Sequence, residues 1–181
     1  MSENEALRFF DWFVFDYQHD AGEERLLQIY RDERWDDLSS QQQTVLEQWA
    51  EVAPAGAYTL VDYEGQRLHL RDFLSGEVVE VYDPAGRGEA DVGDVILGRL
   101  LPVLDHLEFG AGTAYLPQDE IADLAEKVEA ARAADAEQHP GATPTDFLRR
   151  HNHLFIHHAL QQAELQGRPP VARLDESANG K

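Results

Sequence analysis

The segment RRHNHLFIHHAL gathers His151, His153, His157 and His158 within eight positions. Residues four apart share one face of a helix, so His153 and His157 bring two imidazoles together as a helical metal site requires. His151 and His158 fall with Phe147, Leu154 and Phe155 on the apolar face. Seven residues apart, they stand roughly 10 Å apart along the axis, too far to share an ion. No HExxH glutamate accompanies the pair, so a divalent metal at His153 and His157 needs further Asp or Glu ligands from elsewhere. With them the chemistry is that of a metal-dependent hydrolase or nuclease-like enzyme. Without them these are core and surface histidines.

A second candidate lies in FFDWFVFDY, Phe9 to Tyr17, where Asp11 and Asp16 sit among six aromatic residues. Desolvation there would raise a carboxylate pKa, as a general acid requires. Five residues apart on a helix, however, the two point about 140° away from each other. Separate environments and no shared chemistry are the expectation, with Arg8 neutralising Asp11 at i, i+3. The run DERWDD supplies Asp32, Glu33, Asp36 and Asp37 but lacks the glycine and alternate-residue spacing of an EF-hand loop, and reads as a solvated acidic face. The loop PAGRGEADVGD is glycine-rich without a GK[ST] sequence, so its glycines serve turns. No G-x-S-x-G occurs, and Ser75 sits in a hairpin turn without an evident base.

Composition narrows the classes further. The chain of 181 residues has no cysteine, which excludes thiol catalysis, iron–sulfur clusters and Cys-based zinc sites. Its formal charge of −20, with only two lysines, argues against a protein that grips nucleic-acid phosphates. Strong acidity means solubility first, with a DNA mimic or a binder of basic partners as the sharper readings. No basic region followed by an apolar run opens the chain, and no stretch approaches the roughly 20 apolar residues of a membrane span. A cytoplasmic protein without membrane contact is the expectation.

The elements that must position these residues fall into three parts. Positions 1–56 form a helical segment: Glu5 to Gln18 is apolar on nearly every side, as a buried helix is, and is followed by helices over Glu24 to Arg31 and Ser40 to Val52. Ser39 and Ser40 each precede a glutamine by three residues, a capping-box start. From 57 to 116 the period turns to two, with Leu68 and Leu70, then Val79 and Val81, on alternate positions between glycine turns. Five short strands there predict a small antiparallel β-barrel of the SH3-like or OB-like kind, with Pro102 at an edge or bulge. Positions 117–167 form a helical hairpin whose second helix has Thr143 as N-cap, Pro144 at the first position and Gly167 at the stop. A disordered tail is expected over 168–181. The fold class is α+β, a barrel flanked by helices from both termini.

The order FFDWFVFDY, VLEQWAEV, YTLVDY, LHLRDFLSGEVVEVYD and GDVILGRLLPV resembles the conserved region of bacterial proteins that often carry a SEC-C motif, the small cysteine-rich zinc segment named after the C-terminus of SecA. The resemblance runs from about Phe9 to Pro117. It implies an uncharacterised module and transfers no catalytic residue; Asp11, Trp12, Asp16, Tyr17, Leu70, Arg71, Asp72, Gly76, Gly93, Asp94 and Arg99 match as fold determinants. Without cysteine this chain cannot form the SEC-C zinc site. With no assembled catalytic set, the leading expectation is a non-enzymatic interaction module that binds a protein partner and needs no cofactor. The metal enzyme on His153 and His157 is the alternative, and a nucleic-acid binder or DNA mimic a third.

Overall fold

The computed structural model describes residues 3–20, 23–52, 54–88 and 90–167. The tail expected over 168–181 lies outside the described residues. Three helices come first: α1 (Glu3–Phe15), α2 (Leu26–Arg34) and α3 (Ser40–Ala50). The start of α3 follows its sequence signal, since Ser39 Oγ accepts from the Gln42 N–H and Gln42 Oε1 accepts from the Ser39 N–H at 2.9 Å. Residues 35–37 of the DERWDD run form a 3-10 turn, with Arg31 on Asp32 and Arg34 on Asp37.

Seven strands follow: β1 (Gly56–Glu64), β2 (Arg67–Asp72), β3 (Val78–Tyr82), β4 (Val95–Gly98), β5 (Leu100–Val103), β6 (His106–Phe109) and β7 (Ala114–Leu116). They lie in one sheet in the order β5-β6-β3-β2-β1-β4-β7, antiparallel except for the β3/β6 pair. The expected five-stranded barrel is therefore corrected to a seven-stranded mixed sheet, open and curled into a half-barrel. The reason lies in VILGRLLPV. It reads as one strand, but only Arg99 separates β4 from β5, and these two halves join opposite parts of the sheet. The covalent link forces the sheet to curl until both meet at Arg99. Pro102 lies on the edge strand β5, and its carbonyl accepts from Trp49 Nε1 at 2.8 Å, tying α3 to that edge.

Alternation along the strands divides the core. Ala57, Val95, Leu97 and Leu116 face one side, where Leu124, Phe147 and Phe155 of the C-terminal helices cover them. Tyr58, Leu60, Leu68, Leu70, Val81 and Ile96 face the other and fill the curl. Leu60, Leu70 and Val81 are fully buried, each contributing about 1.5–3 kcal/mol. A third cluster joins Phe15, Leu27 and Leu46 of the first three helices to Leu101.

The C-terminal helices are α4 (Leu124–Gln138), α5 (Pro144–His151) and α6 (His153–Leu165). The histidine segment is not on one helix, because Asn152 forms a turn that separates α5 from α6. Thr143 caps α5 as its sequence predicts, with Thr143 Oγ1 accepting from the Asp146 N–H at 3.2 Å and Pro144 at the first position. Asp135 of α4 is buried and clamps α5: it accepts from Arg150 at 2.8 and 2.6 Å, and from His151 at 3.0 Å. Among the described residues no helix is long and apolar enough to cross a membrane.

Candidate functional site: an aromatic helix face above a buried arginine

The helix α1 is not the fully buried element its composition suggests. Phe15 alone turns its ring into the core, 5.8 Å from Trp49. Phe9, Phe10 and Trp12 are exposed by 47, 57 and 42%. Together with Phe13 and Tyr17 they form a cluster of rings on the outer side, with Phe9 stacked on Phe13 at 5.9 Å and Phe13 on Tyr17 at 5.3 Å. Trp12 joins it through Phe9 at 6.0 Å and Tyr17 at 5.2 Å. Being apolar all round is thus satisfied on one side by the core and on the other by ring-on-ring contact. Two downstream helices cover less of α1 than a buried helix needs.

The inner side of α1 is fixed by charge. Arg99 points from the β4/β5 junction toward the helix with its side chain 1% exposed. Its Nε donates to Asp11 Oδ2 at 2.9 Å and its Nη2 to Asp16 Oδ2 at 2.5 Å, while the guanidinium lies 4.6 Å from the Phe15 ring centroid. The expectation of separate environments for the two aspartates is overturned. The helix ends at Phe15, so Asp16 sits in a turn where 100° per residue no longer applies. The wide guanidinium fork then spans both carboxylates. Burial pushes Asp11 above its ordinary value, and the Arg99 charge and hydrogen bond partly offset that.

Close backbone contact completes the seat. Gly112 has φ +78, and a Cβ placed there would lie 2.8 Å from the Arg8 backbone nitrogen. Glycine is required on both counts, conformation and space. The glycine-bearing β6–β7 loop is the cradle on which the first turns of α1 rest.

Between α1, the sheet and α6 lies a cavity of about 300 Å³, lined by Trp12, Asp11, Asp16, Arg99, Leu97 and Ile156 among others. Leu97 of β4 and Arg99 of the β4/β5 junction both line it. His153 and His157, the candidate metal ligands, are exposed on its wall with ring centroids 5.2 Å apart, so the i, i+4 spacing does bring them together. Partial burial, followed by the neighbouring His157 and His151, holds His153 below its usual value. Among the described residues no group of three or more His, Asp or Glu side chains is gathered as a metal ion needs.

The remaining candidates have structural partners. The imidazole of His158 is buried; Lys127 Nζ can only donate to its Nδ1, at 3.3 Å, so Nε2 donates to the Glu120 carbonyl at 2.7 Å. His151 is held by Asp135. Ser75 Oγ accepts from the Glu77 N–H within the β2–β3 turn. Gly86 and Gly93 both have positive φ in turns.

In sequence Arg99 matches only as a fold determinant; its clamp on Asp11 and Asp16 follows from no motif. Its signal was present: a lone cation inside VILGRLLPV, an apolar run destined for a strand, has to find a carboxylate. No family model, curated protein or solved structure matches the chain.

Proposed function

We propose that this chain is a non-enzymatic interaction module that docks a basic protein partner on the outer aromatic face of α1. The observation that carries the proposal is the ring cluster, three of whose members are two-fifths or more exposed. Aromatic side chains bury large areas at low entropic cost and supply many interface anchors, and exposed apolar patches mark such surfaces. The Arg99 clamp and the Gly112 cradle hold the helix in place, so the face is presented without an ordering penalty at binding. A charge of −20 repels a second copy, nucleic acid and anionic membrane alike, and steers a basic partner. The resemblance to the region that accompanies SEC-C motifs accords with an accessory role.

The test is capture from lysate of the source cells, comparing the wild type with Phe9→Ser/Phe10→Ser. A partner retained by the wild type at low salt and lost from the double variant is expected. Equal retrieval by both proteins contradicts the assignment to α1.

A second reading, a metal-dependent hydrolase, is favoured by one observation: His153 and His157 lie ring to ring beside a cavity that also holds Asp11 and Asp16. Metal analysis of the purified protein decides it. Stoichiometric metal that disappears in His153→Ala/His157→Ala supports the enzyme, and a metal-free wild type removes it.

A further inference from the structure

We infer that the cavity beneath Trp12 is the anchor pocket of the docking face, and that it takes one planar aromatic side chain bearing a hydrogen-bond donor, a Trp or Tyr of the basic partner. This rests on the reading of α1 as a docking face and names what that face recognises.

Size, shape and polarity each restrict the guest. At about 300 Å³ the cavity is at the lower limit for a small-molecule pocket and suits a single ring system. Gly56, Gly98 and Gly112 bring backbone without side chains to its wall, while Trp12 and Ile156 provide apolar surface. The indole of Trp12 offers a flat guest a ring to stack on. The cavity's polar lining sets the carboxylates of Asp11 and Asp16, clamped by Arg99, beside Arg8, Asn152, His153 and His157. Carboxylate oxygens accept hydrogen bonds, so a guest that carries an N–H or O–H finds partners at Asp11 and Asp16. An anionic guest meets the repulsive field of a chain with a formal charge of −20.

The source of the guest follows from Trp12. This residue belongs both to the cavity wall and to the exposed ring cluster, so the pocket opens beside the docking face. A partner side chain that enters leaves its own backbone near Phe9 and Phe10. Central, enclosed aromatic anchors ringed by further contacts are the usual arrangement of binding energy at protein interfaces.

The experiment is an NMR titration of the full chain with four probes: indole, benzoate, a lysine-rich peptide carrying one Trp, and that peptide with its Trp replaced by Ala. Indole is expected to shift the Trp12, Ala111 and His157 signals, and benzoate to leave them unmoved. The Trp peptide should bind at least about tenfold tighter than indole or the Ala peptide. Ala111→Phe, at an exposed lining position, should cut indole affinity at least about tenfold with the melting temperature kept; if it melts early, Ala55→Leu serves instead. Phe9→Ser/Phe10→Ser should remove the peptide's advantage and leave indole binding as it was. Silence toward indole, or indole binding untouched by the filling variants, overturns the pocket. A Trp peptide no tighter than indole overturns the partner side chain as occupant. A peptide advantage that survives loss of Phe9 and Phe10 overturns the docking face while the pocket stands.

Discussion

Arg99 and Asp11, eighty-eight residues apart in sequence, are joined at 2.9 Å in a site where the arginine side chain is 1% and the aspartate side chain 9% exposed. Asp16 takes the other arm of the same guanidinium. This is the bond between the N-terminal helix and the junction of the sheet, and removing the cation leaves two largely buried carboxylates without it. Arg99→Met is predicted to destabilise the fold by about 3–5 kcal/mol, the range for breaking a buried ion pair from one side. Urea unfolding measures it. A loss below about 1 kcal/mol, the worth of a surface pair, would mean that the triad does not hold α1.

The seat of α1 on the β6–β7 loop gives a second prediction. Gly112→Ala forces a side chain into the left-handed region and against the Arg8 backbone, whereas Gly141→Ala, at φ +88, meets nothing within 4 Å. The second change costs only the conformational penalty, about 1–2 kcal/mol. The first should cost more and expose α1 to limited proteolysis near Arg8. Equal stability of the two variants would show that the loop does not cradle the helix.

The two faces of α1 are separable by substitution. Phe15 is buried beside Trp49, so Phe15→Ala should cost about 3–5 kcal/mol. Phe10, the most exposed ring of the cluster, has little core to lose, and Phe10→Ser should stay within about 0.5 kcal/mol. Thermal melting compares them. A large loss at Phe10 would place the ring cluster in the service of stability.

Much of this fold was legible in sequence, and the failures share a cause. Ser39 and Thr143 carried their caps in local hydrogen-bonding chemistry, and the period of two in RLHLRDF and EVVEVY marked β2 and β3. These signals act over a few residues. What escaped is long-range: that VILGRLLPV divides at Arg99 between two parts of one sheet, and that Asp11 and Asp16 converge on that arginine. A helical wheel assigns directions to side chains only while the helix lasts, and α1 ends one residue before Asp16. Composition also misplaced the aromatics, because a hydrophobic helix reads as buried whether or not the chain has enough further surface to cover it. The pairing of His153 and His157 was readable from spacing; the cavity they border was not, since its walls come from five separated segments.

Two carboxylates predict opposite pH responses. Asp11 has its folded pKa raised above the ordinary 3.8, chiefly by burial, so the native state holds that proton more tightly than the unfolded chain. Its contribution is present at low pH and is lost as pH rises from 3.8 through the folded value. Asp135 is shifted the other way, first by its hydrogen bond to Arg150 and against its desolvation, with His151 adding to the lowering. Its contribution is full above 3.8 and is lost as pH falls below it toward the folded value. Asp135→Asn should therefore flatten the acid limb of stability between about pH 4 and 2, and Asp11→Asn should remove the decline above 3.8. Melting temperatures from about pH 2 to 7 read both. An unchanged acid limb in Asp135→Asn, or an unchanged decline above 3.8 in Asp11→Asn, would contradict the assignments.

The most direct measurement is oxidative footprinting of Phe9, Phe10 and Trp12, in buffer and in lysate of the source cells at low salt, with the tagged protein recovered for mass spectrometry. Docking through the aromatic face predicts that all three are modified readily in buffer and protected in lysate, with protection lost when salt is raised. Equal modification in both conditions would contradict α1 as the docking surface.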